Sequence, residues 1–397
     1  MTNDTDVLVA GGGPAGLIFS EEAKRNGLEI TLLEKKPEIG TPSHCAGLVS
    51  INGLYRIGVE PPFDCIKSVI YGAKIHSPSN HVFEIKSKNP LAYALDRVSF
   101  DKFLAKRAAS QGVKISLDTE VVHLLKKDNV IGFQSSDGNV LHSKMTVSAE
   151  GITGHLLEEA GLQSISRSSC VPALQFEVCN VDIDEHIVQI FFGRKYSQNF
   201  FAWIIPTGKD SARVGLASNE QNNLERMNLF VKDKLNSPIK RSELSGIITL
   251  GGPIKRTCSD GFLAIGDVCG QTKPTTGGGI VTGGICAKIA AKAVKVAIEK
   301  NCTNYGELKK NYEKKWRKEL GGEFSHMLMA RRVLNNLSDK TLDRIFKTII
   351  ESDISKDIAE SSDMDFHSDA IERIFKNSLK GRIIYLVTKD VIKNLFS

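Results

Sequence analysis

A glycine-rich stretch near the start of the chain constrains the fold more than any other feature of the sequence. The apolar residues 7–10 are followed by Gly11, Gly13 and Gly16 in the spacing G-x-G-x-x-G. A short apolar run that ends in glycines is typical of a buried parallel strand. At the turn from strand to helix, such glycines allow a tight turn, close approach of a pyrophosphate, and close packing of helix on strand.

The residues that follow complete a dinucleotide-binding βαβ unit. A helix predicted to reach about residue 26 directs its N-terminal N–H groups at the phosphate, and Gly27 ends it. Residues 29–33 form a second predicted strand that stops at Glu34. An acid at this place accepts hydrogen bonds from a ribose and disfavours a nucleotide with a 2′-phosphate. The combination predicts a bound dinucleotide rather than a glycine turn without a ligand.

Composition limits the classes of protein to consider. The 397 residues suggest about two or three closely packed units, and 41% hydrophobic with 25% charged residues is ordinary for a globular protein. A net charge of +6 predicts no nucleic-acid surface but allows contact with an anionic membrane. We find no transmembrane run and no signal peptide, and the eight cysteines are scattered. We therefore expect a cytoplasmic protein with reduced thiols and no metal site.

The predicted elements divide the chain into three regions. Residues 1–168 and 246–300 are predicted to form a discontinuous nucleotide-binding domain with a hairpin insertion at about 65–95. Residues 169–245 contain alternating or apolar β-runs, which predict an antiparallel sheet with one face over a cavity. Residues 301–397 carry helical patterns and no strand signal, which predicts a helical C-terminal region.

Three further segments indicate which dinucleotide is bound. Arg97 is the first residue of a predicted helix, and Asp101 follows one turn later. Either the two residues form a surface ion pair, or the Arg97 guanidinium is held against the cofactor. Asp267 lies just after the carboxyl end of an apolar strand. At this place it either caps a helix or contacts a ligand. The glycine run 277–279 opens a helix whose N-terminus would stabilise the charge of a reduced flavin. Their order matches flavoproteins, so we predict FAD rather than NAD, with electrons supplied by a transiently bound donor.

The chain resembles the geranylgeranyl reductase family, most closely the archaeal digeranylgeranylglycerophospholipid reductases. The resemblance runs from residue 1 to about 300 and is carried by residues 9–16, 34–42, 45–47, 95–101 and 266–280. The nucleotide motifs are shared with many flavoprotein hydroxylases. The specific part is the P-x-x-C-x-G loop at residues 42–47 together with the segment 201–206.

This resemblance implies a fold, a reaction and a set of contacts. The fold is α/β, with a Rossmann-type FAD-binding domain of the hydroxylase-like flavoprotein fold, an antiparallel-sheet substrate domain and a helical C-terminal region. The reaction reduces the carbon–carbon double bonds of geranylgeranyl chains in isoprenoid ether lipids, for archaeal membrane lipid biosynthesis. Besides Gly11, Gly13 and Gly16 of the opening motif, the implied FAD contacts are Ala15, Glu34, Cys45, Ala46, Gly47, Arg97, Val121, Asp267, Gly279 and Ile280.

The segment 201–206 departs from the family pattern Y-x-W-x-F-P. Trp203 and Pro206 are kept, whereas Phe201 and Ile205 replace the tyrosine and the phenylalanine. The exchange removes a hydroxyl and keeps an apolar wall, so Phe201, Trp203 and Pro206 are the candidate substrate contacts. The aromatic side chains expected to line an isoprenoid channel, each with core packing as the alternative, are Phe191, Phe192, Phe200, Phe201 and Trp203.

Cys45 is the candidate proton donor. Reduction of an isolated alkene needs a hydride from reduced flavin N5 and a proton donor in a dry pocket. A free thiol, with an ordinary pKa of about 8.5, is largely protonated at neutral pH. The alternative is that Cys45 only packs against the flavin. The neighbouring His44 is either a proton relay or a solvated loop histidine.

Two other functions use the same fold. One is an FAD-dependent aromatic monooxygenase or halogenase, and the other is a non-enzymatic electron-transfer flavoprotein with an exposed flavin edge. Cys45 and the apolar wall favour an isoprenoid lipid as substrate, with ferredoxin, a deazaflavin or NAD(P)H as electron donor. Residues 376–397 are basic and apolar at helical spacing, which predicts either peripheral contact with the inner membrane face or packing on the enzyme.

Overall fold

The structure is a computed structural model that describes residues 5–127, 130–351, 363–369 and 371. Its strands are β1 Val7–Ala10, β2 Ile30–Leu33, β3 Leu48–Ser50, β4 Ile66–Ile70, β5 Gly72–His76, β6 Val82–Lys86, β7 Ala92–Leu95, β8 Lys114–Ser116, β9 Val121–Lys127, β10 Val130–Ser135, β11 Val140–Ser143, β12 Met145–Ser148, β13 Cys170–Cys179, β14 Ile187–Phe191, β15 Ala202–Gly208, β16 Ser211–Ala217, β17 Ile239–Thr249, β18 Cys258–Ser259 and β19 Phe262–Ala264. Its α-helices are α1 Pro14–Arg25, α2 Ile51–Arg56, α3 Arg97–Ser110, α4 Leu156–Glu159, α5 Asn223–Lys234, α6 Ile280–Glu299, α7 Tyr305–Leu308, α8 Lys314–Asn335 and α9 Asp339–Ile350.

A six-stranded sheet carries the nucleotide motif. Its order is β18-β19-β12-β1-β2-β8, and β1 pairs in parallel with both β12 and β2. Val7 and Val9 pack into the core that contains α1, α3 and α6, whereas Leu8 and Ala10 pack into a second core on the opposite side. Because both faces are covered, β1 is apolar throughout, as expected for a central parallel strand. The predicted α/β flavoprotein fold is confirmed.

A seven-stranded sheet forms the second layer, in the order β17-β13-β16-β15-β14-β5-β6. It is antiparallel except at β14 and β5, which pair in parallel. The predicted hairpin β5–β6 is therefore an edge of this sheet. Strand β17, which the sequence pattern did not predict, pairs with β13 and crosses the predicted limit between residues 245 and 246. The domain limits stay a prediction.

The helix α9 closes the far side of this sheet. Its apolar side chains at positions 342, 345, 346 and 349 recur at helical spacing and face the interior. Asp343, on the neighbouring face, accepts hydrogen bonds from the Ser77 hydroxyl (2.5 Å), the Ser79 N–H (2.8 Å) and the Ser79 hydroxyl (2.7 Å). Burial acts to raise the pKa of Asp343, but these hydrogen bonds hold it below its ordinary value. The carboxylate thus ties α9 to the tip of the β5–β6 hairpin.

Within the described ranges, none of the helices combines the length and the apolar composition needed to cross a bilayer. The basic and apolar stretch 376–397, for which membrane contact or packing was predicted, lies outside the described residues.

Candidate active site

One continuous cavity of about 1540 Å³ joins the carboxyl ends of the parallel strands to the inner face of the seven-stranded sheet. At one end it is lined by the glycine turn and by Glu34. At the other end the lining is apolar and includes Ile75, Val188, Ile190, Leu334, Phe346 and Ile349. Pockets for a single small molecule are typically about 300–1,000 Å³. The cavity therefore has room for a dinucleotide and for part of a second, apolar molecule.

The glycines of the opening motif have different structural roles. Gly11 has a φ of 109°, and a Cβ there would lie 2.3 Å from the Ala149 carbonyl oxygen. A Cβ on Gly16 would lie 2.1 Å from the Gly11 carbonyl oxygen, so Gly16 lets α1 pack against the turn. Gly13 lines the cavity, and a Cβ there would meet no protein atom within 4 Å. The space beside Gly13 fits a pyrophosphate at the N-terminus of α1.

Glu34 lies at the nucleotide end of the cavity. Its Oε2 accepts a hydrogen bond from the Gly12 N–H at 2.6 Å, and its Oε1 accepts one from the Lys36 N–H at 3.1 Å. Each carboxylate oxygen keeps a lone pair for a further donor. Ala15 and Val121 line the same cavity. The geometry fits the predicted ribose contact of Glu34.

Asp267 and the start of α6 line the same cavity. Asp267 follows β19, and its Oδ1 lies close to Gly279. A Cβ added to Gly279 would lie only 2.6 Å from this oxygen. Its side chain is exposed to the open cavity, and the desolvation that acts on it comes from the protein atoms on its other sides. Burial raises the pKa of Asp267, and the Arg97 guanidinium opposes that rise. Gly279 and Ile280 bring the positive end of the α6 dipole to the cavity.

Arg97 and Asp101 form a largely buried ion pair beside the partly exposed Cys45, so of the two alternatives the surface ion pair does not apply. The Arg97 Nε and Nη2 donate to the two Asp101 oxygens at 3.1 and 3.0 Å, and these side chains are only 11% and 9% exposed. The Arg97 guanidinium also contacts the Cys45 thiol. Burial acts to lower the pKa of Arg97, but Asp101 and Cys45 raise it above its ordinary value. The thiol therefore lies beside a permanent positive charge.

Arg213 holds the loop that carries Cys45, a role that the sequence pattern did not predict. Its Nη1 donates to the carbonyls of Ala46 (3.0 Å) and Leu95 (2.7 Å), and its Nε donates to Glu177 at 2.7 Å. Gly47 lies against this guanidinium with a φ of 75°, and its N–H donates to the Cys45 Sγ at 3.4 Å. The available signal was a single arginine within the apolar strand β16.

His44 is exposed, and its Nδ1 contacts the Ser245 carbonyl at 2.8 Å. With a carbonyl as partner, Nδ1 is the donor. The contact attaches the Cys45 loop to β17.

Aromatic side chains line the cavity on the side of the second sheet. The rings of Phe200 and Phe201 stack with centroids 4.1 Å apart, and both meet Trp203 edge-on. The Trp203 Nε1 donates to the Gln175 Oε1 at 3.3 Å, which satisfies the one polar atom of the indole. Phe192, predicted for the channel, lines it too. The structure thus brings four of the five predicted aromatic residues to the cavity.

Phe191 and Pro206 lie elsewhere. Phe191 stacks on His76 and packs edge-on against Phe230 in the core below the sheet. It points away from the cavity because adjacent strand residues project to opposite faces. Pro206 is buried in β15 and is absent from the cavity lining formed by the described residues. For Phe191 the alternative of core packing therefore applies, and the prediction that Pro206 contacts substrate is corrected.

The position of Trp203 depends on Gly215 on the neighbouring strand. A Cβ on Gly215 would lie 2.2 Å from Cζ2 of the indole. We expect Gly215→Ala to lower the free energy of unfolding by about 1–3 kcal/mol, because the ring must shift within a packed wall. Urea denaturation followed by tryptophan fluorescence measures this change.

Gly246→Ala is the matched control in the same sheet. A Cβ on Gly246 would be 3.4 Å from its nearest neighbour, the His44 carbonyl oxygen. Its effect should stay within about 0.5 kcal/mol. Equal destabilisation by the two substitutions would contradict a specific contact between Gly215 and Trp203.

Comparison with known proteins gives a consistent result. Residues 4–249 match the family described as FAD binding domain. The chain is 34% identical to Digeranylgeranylglycerophospholipid reductase 2 of Methanothermobacter thermautotrophicus, over 88% of this chain and 93% of that relative. The crystal structure of a geranylgeranyl bacteriochlorophyll reductase-like protein from Thermoplasma acidophilum is 26% identical, with a TM-score of 0.86 over 96% of this chain and 99% of that chain. A flavin-dependent brominase variant, 16% identical with a TM-score of 0.72 over 97% and 99% of the two chains, shares the fold alone.

Proposed function

The chain belongs to the FAD binding domain family and, within it, to the geranylgeranyl reductases, and we propose that it reduces the double bonds of geranylgeranyl chains in isoprenoid glycerophospholipids. It binds FAD and is an oxidoreductase that acts on CH–CH groups. The finer assignments, namely the lipid, the proton donor and the residues that contact each ligand, are the proposal.

The observation that carries the proposal is the continuity of the cavity. The nucleotide end, with Gly13 and Glu34, opens without a break into an apolar channel walled by Phe201, Trp203 and α9. Cys45 lines the cavity together with both sets of residues. An apolar chain that enters along the aromatic wall therefore reaches the region where Asp267 and α6 meet. A geranylgeranyl chain, which is flexible and lacks polar groups, suits such a channel.

Different groups of residues are suited to bind different parts of FAD. Gly11, Gly13 and the N-terminus of α1 suit the pyrophosphate, and Glu34 suits the ribose of the adenosine. Asp267 and the N-terminus of α6 suit the ribityl chain and the pyrimidine edge of the flavin. When bound and reduced, FAD supplies a hydride from N5.

In the proposed reaction, Cys45 delivers the proton. One alkene carbon receives the hydride and its neighbour receives the thiol proton, so that the C=C bond becomes CH–CH and Cys45 becomes a thiolate. The Arg97 guanidinium and the Gly47 N–H both contact the sulfur and stabilise that negative charge. Water then reprotonates the thiolate. The apolar walls exclude water from the double bond while it reacts.

The alternatives have less support. An aromatic monooxygenase or halogenase would share the fold, yet the brominase resemblance does not extend beyond it. An electron-transfer flavoprotein has no use for a channel lined by Phe201, Phe346 and Ile349. The electron donor in the proposed cycle is ferredoxin, a deazaflavin or NAD(P)H, bound transiently. Peripheral contact with a membrane is part of the proposal, because the substrate is a membrane lipid.

The test is anaerobic oxidation of the dithionite-reduced holoenzyme by digeranylgeranylglyceryl phosphate, followed by flavin absorbance and by mass analysis of the lipid. We expect oxidised flavin to return as the lipid gains two hydrogen atoms for each double bond reduced. The fully saturated lipid is the control and should leave the flavin reduced. An unreactive unsaturated lipid would reject the proposed substrate.

A further inference from the structure

The apolar half of the cavity contains a buried cation, Arg331 of α8. The residue is 6% exposed and lines the cavity. Its Nε, Nη1 and Nη2 donate to the carbonyls of Pro274 (2.9 Å), Asn199 (2.8 Å) and Thr275 (2.7 Å). Its guanidinium carbon also lies 4.9 Å from the centre of the Phe200 ring.

Arg331 forms no ion pair with any acidic side chain in the described part of the chain. Carbonyls satisfy its N–H groups but carry no net charge, and the Phe200 ring offsets the charge only in part. Burial lowers the pKa of Arg331 to about 10, so the group remains charged at neutral pH. A buried charge without a counter-charge is costly, even where carbonyls satisfy its N–H groups.

Nearby acids already have partners. Asp365 accepts a hydrogen bond from the Lys273 ammonium through Oδ1 at 2.7 Å, whereas its buried Oδ2 has no hydrogen-bond partner among the described residues. Asp339 accepts hydrogen bonds from the Arg194 N–H through both carboxylate oxygens, each at 3.2 Å. These contacts leave Arg331 as a cation that faces the cavity and lacks an anion.

The contacts of Arg331 place it beside both the proposed flavin site and the aromatic wall of the channel. Pro274 and Thr275 precede the glycine run at the start of α6, and Asn199 precedes the aromatic wall. Arg331 therefore lies where the loop beside the flavin site meets the apolar channel. A second cavity of about 30 Å³ also borders Arg331, and its lining includes Arg194 and Asp339, which contact each other, as well as Ser197, Asn199 and Asn335.

We propose that Arg331 binds the phosphate of the substrate lipid while the double bonds nearest to the glycerol are reduced. The inference rests on the proposed function and specifies its substrate as an anionic, phosphorylated isoprenoid. The first double bond of each chain is only a few bonds from the glycerol. When that bond reaches the flavin site, the phosphate has to enter the protein as well. On leaving water the phosphate loses its hydration. A buried guanidinium at this point compensates for that loss with a positive charge and with hydrogen bonds.

The test compares two lipids that differ only in charge, digeranylgeranylglyceryl phosphate and uncharged digeranylgeranylglycerol. For Arg331→Met we expect kcat/KM for the phosphate lipid to fall about 10- to 100-fold, the usual effect of losing a charge-assisted hydrogen bond. The value for the uncharged lipid should change less than about twofold, because that lipid has no anion to lose. Arg331→Lys, which keeps the charge, should restore part of the preference.

Arg332→Met is the matched control, since Arg332 is the next residue of α8, is exposed and does not line the cavity. It should leave both lipids unaffected. Equal losses for the two lipids in Arg331→Met would assign Arg331 to structure alone and overturn the inference. Failure of the unaltered enzyme to reduce either lipid would instead reject the proposed function.

A binding measurement keeps the test decisive if Arg331→Met does not fold. The oxidised holoenzyme should bind the phosphate lipid at least about tenfold more tightly than the uncharged lipid, as followed by flavin fluorescence in one detergent. Equal affinities would overturn the inference without any variant.

Discussion

Cys45→Ala is expected to retain FAD and to slow the reduction of a geranylgeranyl chain by about 10²–10⁴-fold, the usual contribution of a positioned acid. The thiol is partly exposed to the cavity and contacts Arg97, so its loss removes the proton donor and leaves the cation in place. The alanine is smaller than the thiol, and the FAD contacts proposed for Gly47 and Asp267 remain possible. Single-turnover oxidation of the reduced flavin by the lipid, under anaerobic conditions, measures the chemical step directly.

Cys302→Ala is the control for loss of a thiol. Cys302 is also partly exposed but does not line the cavity. Its rate should match that of the unaltered enzyme. An unchanged rate in Cys45→Ala, with FAD fully bound, would mean that Cys45 only packs beside the flavin and that the proton comes from another group.

Gly13→Val should yield a folded protein that binds FAD on the order of 100-fold more weakly, because the side chain occupies the space beside the pyrophosphate. No protein atom lies within 4 Å of a Cβ at this position, so the substitution disturbs the cofactor rather than the fold. The purified variant should be colourless. Titration of the apoprotein with FAD, followed by quenching of flavin fluorescence, gives the affinity.

Gly322→Val provides the comparison. A Cβ on Gly322 also meets no atom within 4 Å, but this glycine lies on the surface of α8, outside the cavity lining. It should bind FAD with unaltered affinity. Full FAD occupancy in Gly13→Val would show that the pyrophosphate does not bind at the glycine turn.

The nucleotide half of the molecule was predictable because its signals are local. The strand β1, the glycine spacing and the acid at Glu34 follow one another along the chain, and each has a direct physical reason. The strand β17 was not predictable in the same way. It is an edge strand with many exposed polar residues, so its sequence lacks the apolar alternation that marks a half-buried strand.

The parts of the site that were missed depend on contacts between distant segments. Arg213 holds the Cys45 loop, and Arg331 contacts carbonyls near residues 199 and 275, yet nothing near either arginine in the sequence indicates these partners. The choice between channel and core at Phe191 has a different origin. Phe191 and Phe192 are adjacent at the end of β14, where period-two geometry directs them to opposite faces. Only one of the two was able to line the channel.

The order of the strands has a consequence for how the protein is made. The glycine turn is synthesised early, whereas β19, Asp267 and α6 are synthesised only after the whole seven-stranded sheet. A ribosome-bound chain that ends before Phe262 has half of a flavin site and no neighbour for the outer edge of β12. The residues proposed to hold FAD are therefore complete only late in synthesis. Until β19 is made and pairs with β12, that sheet edge is exposed to aggregation.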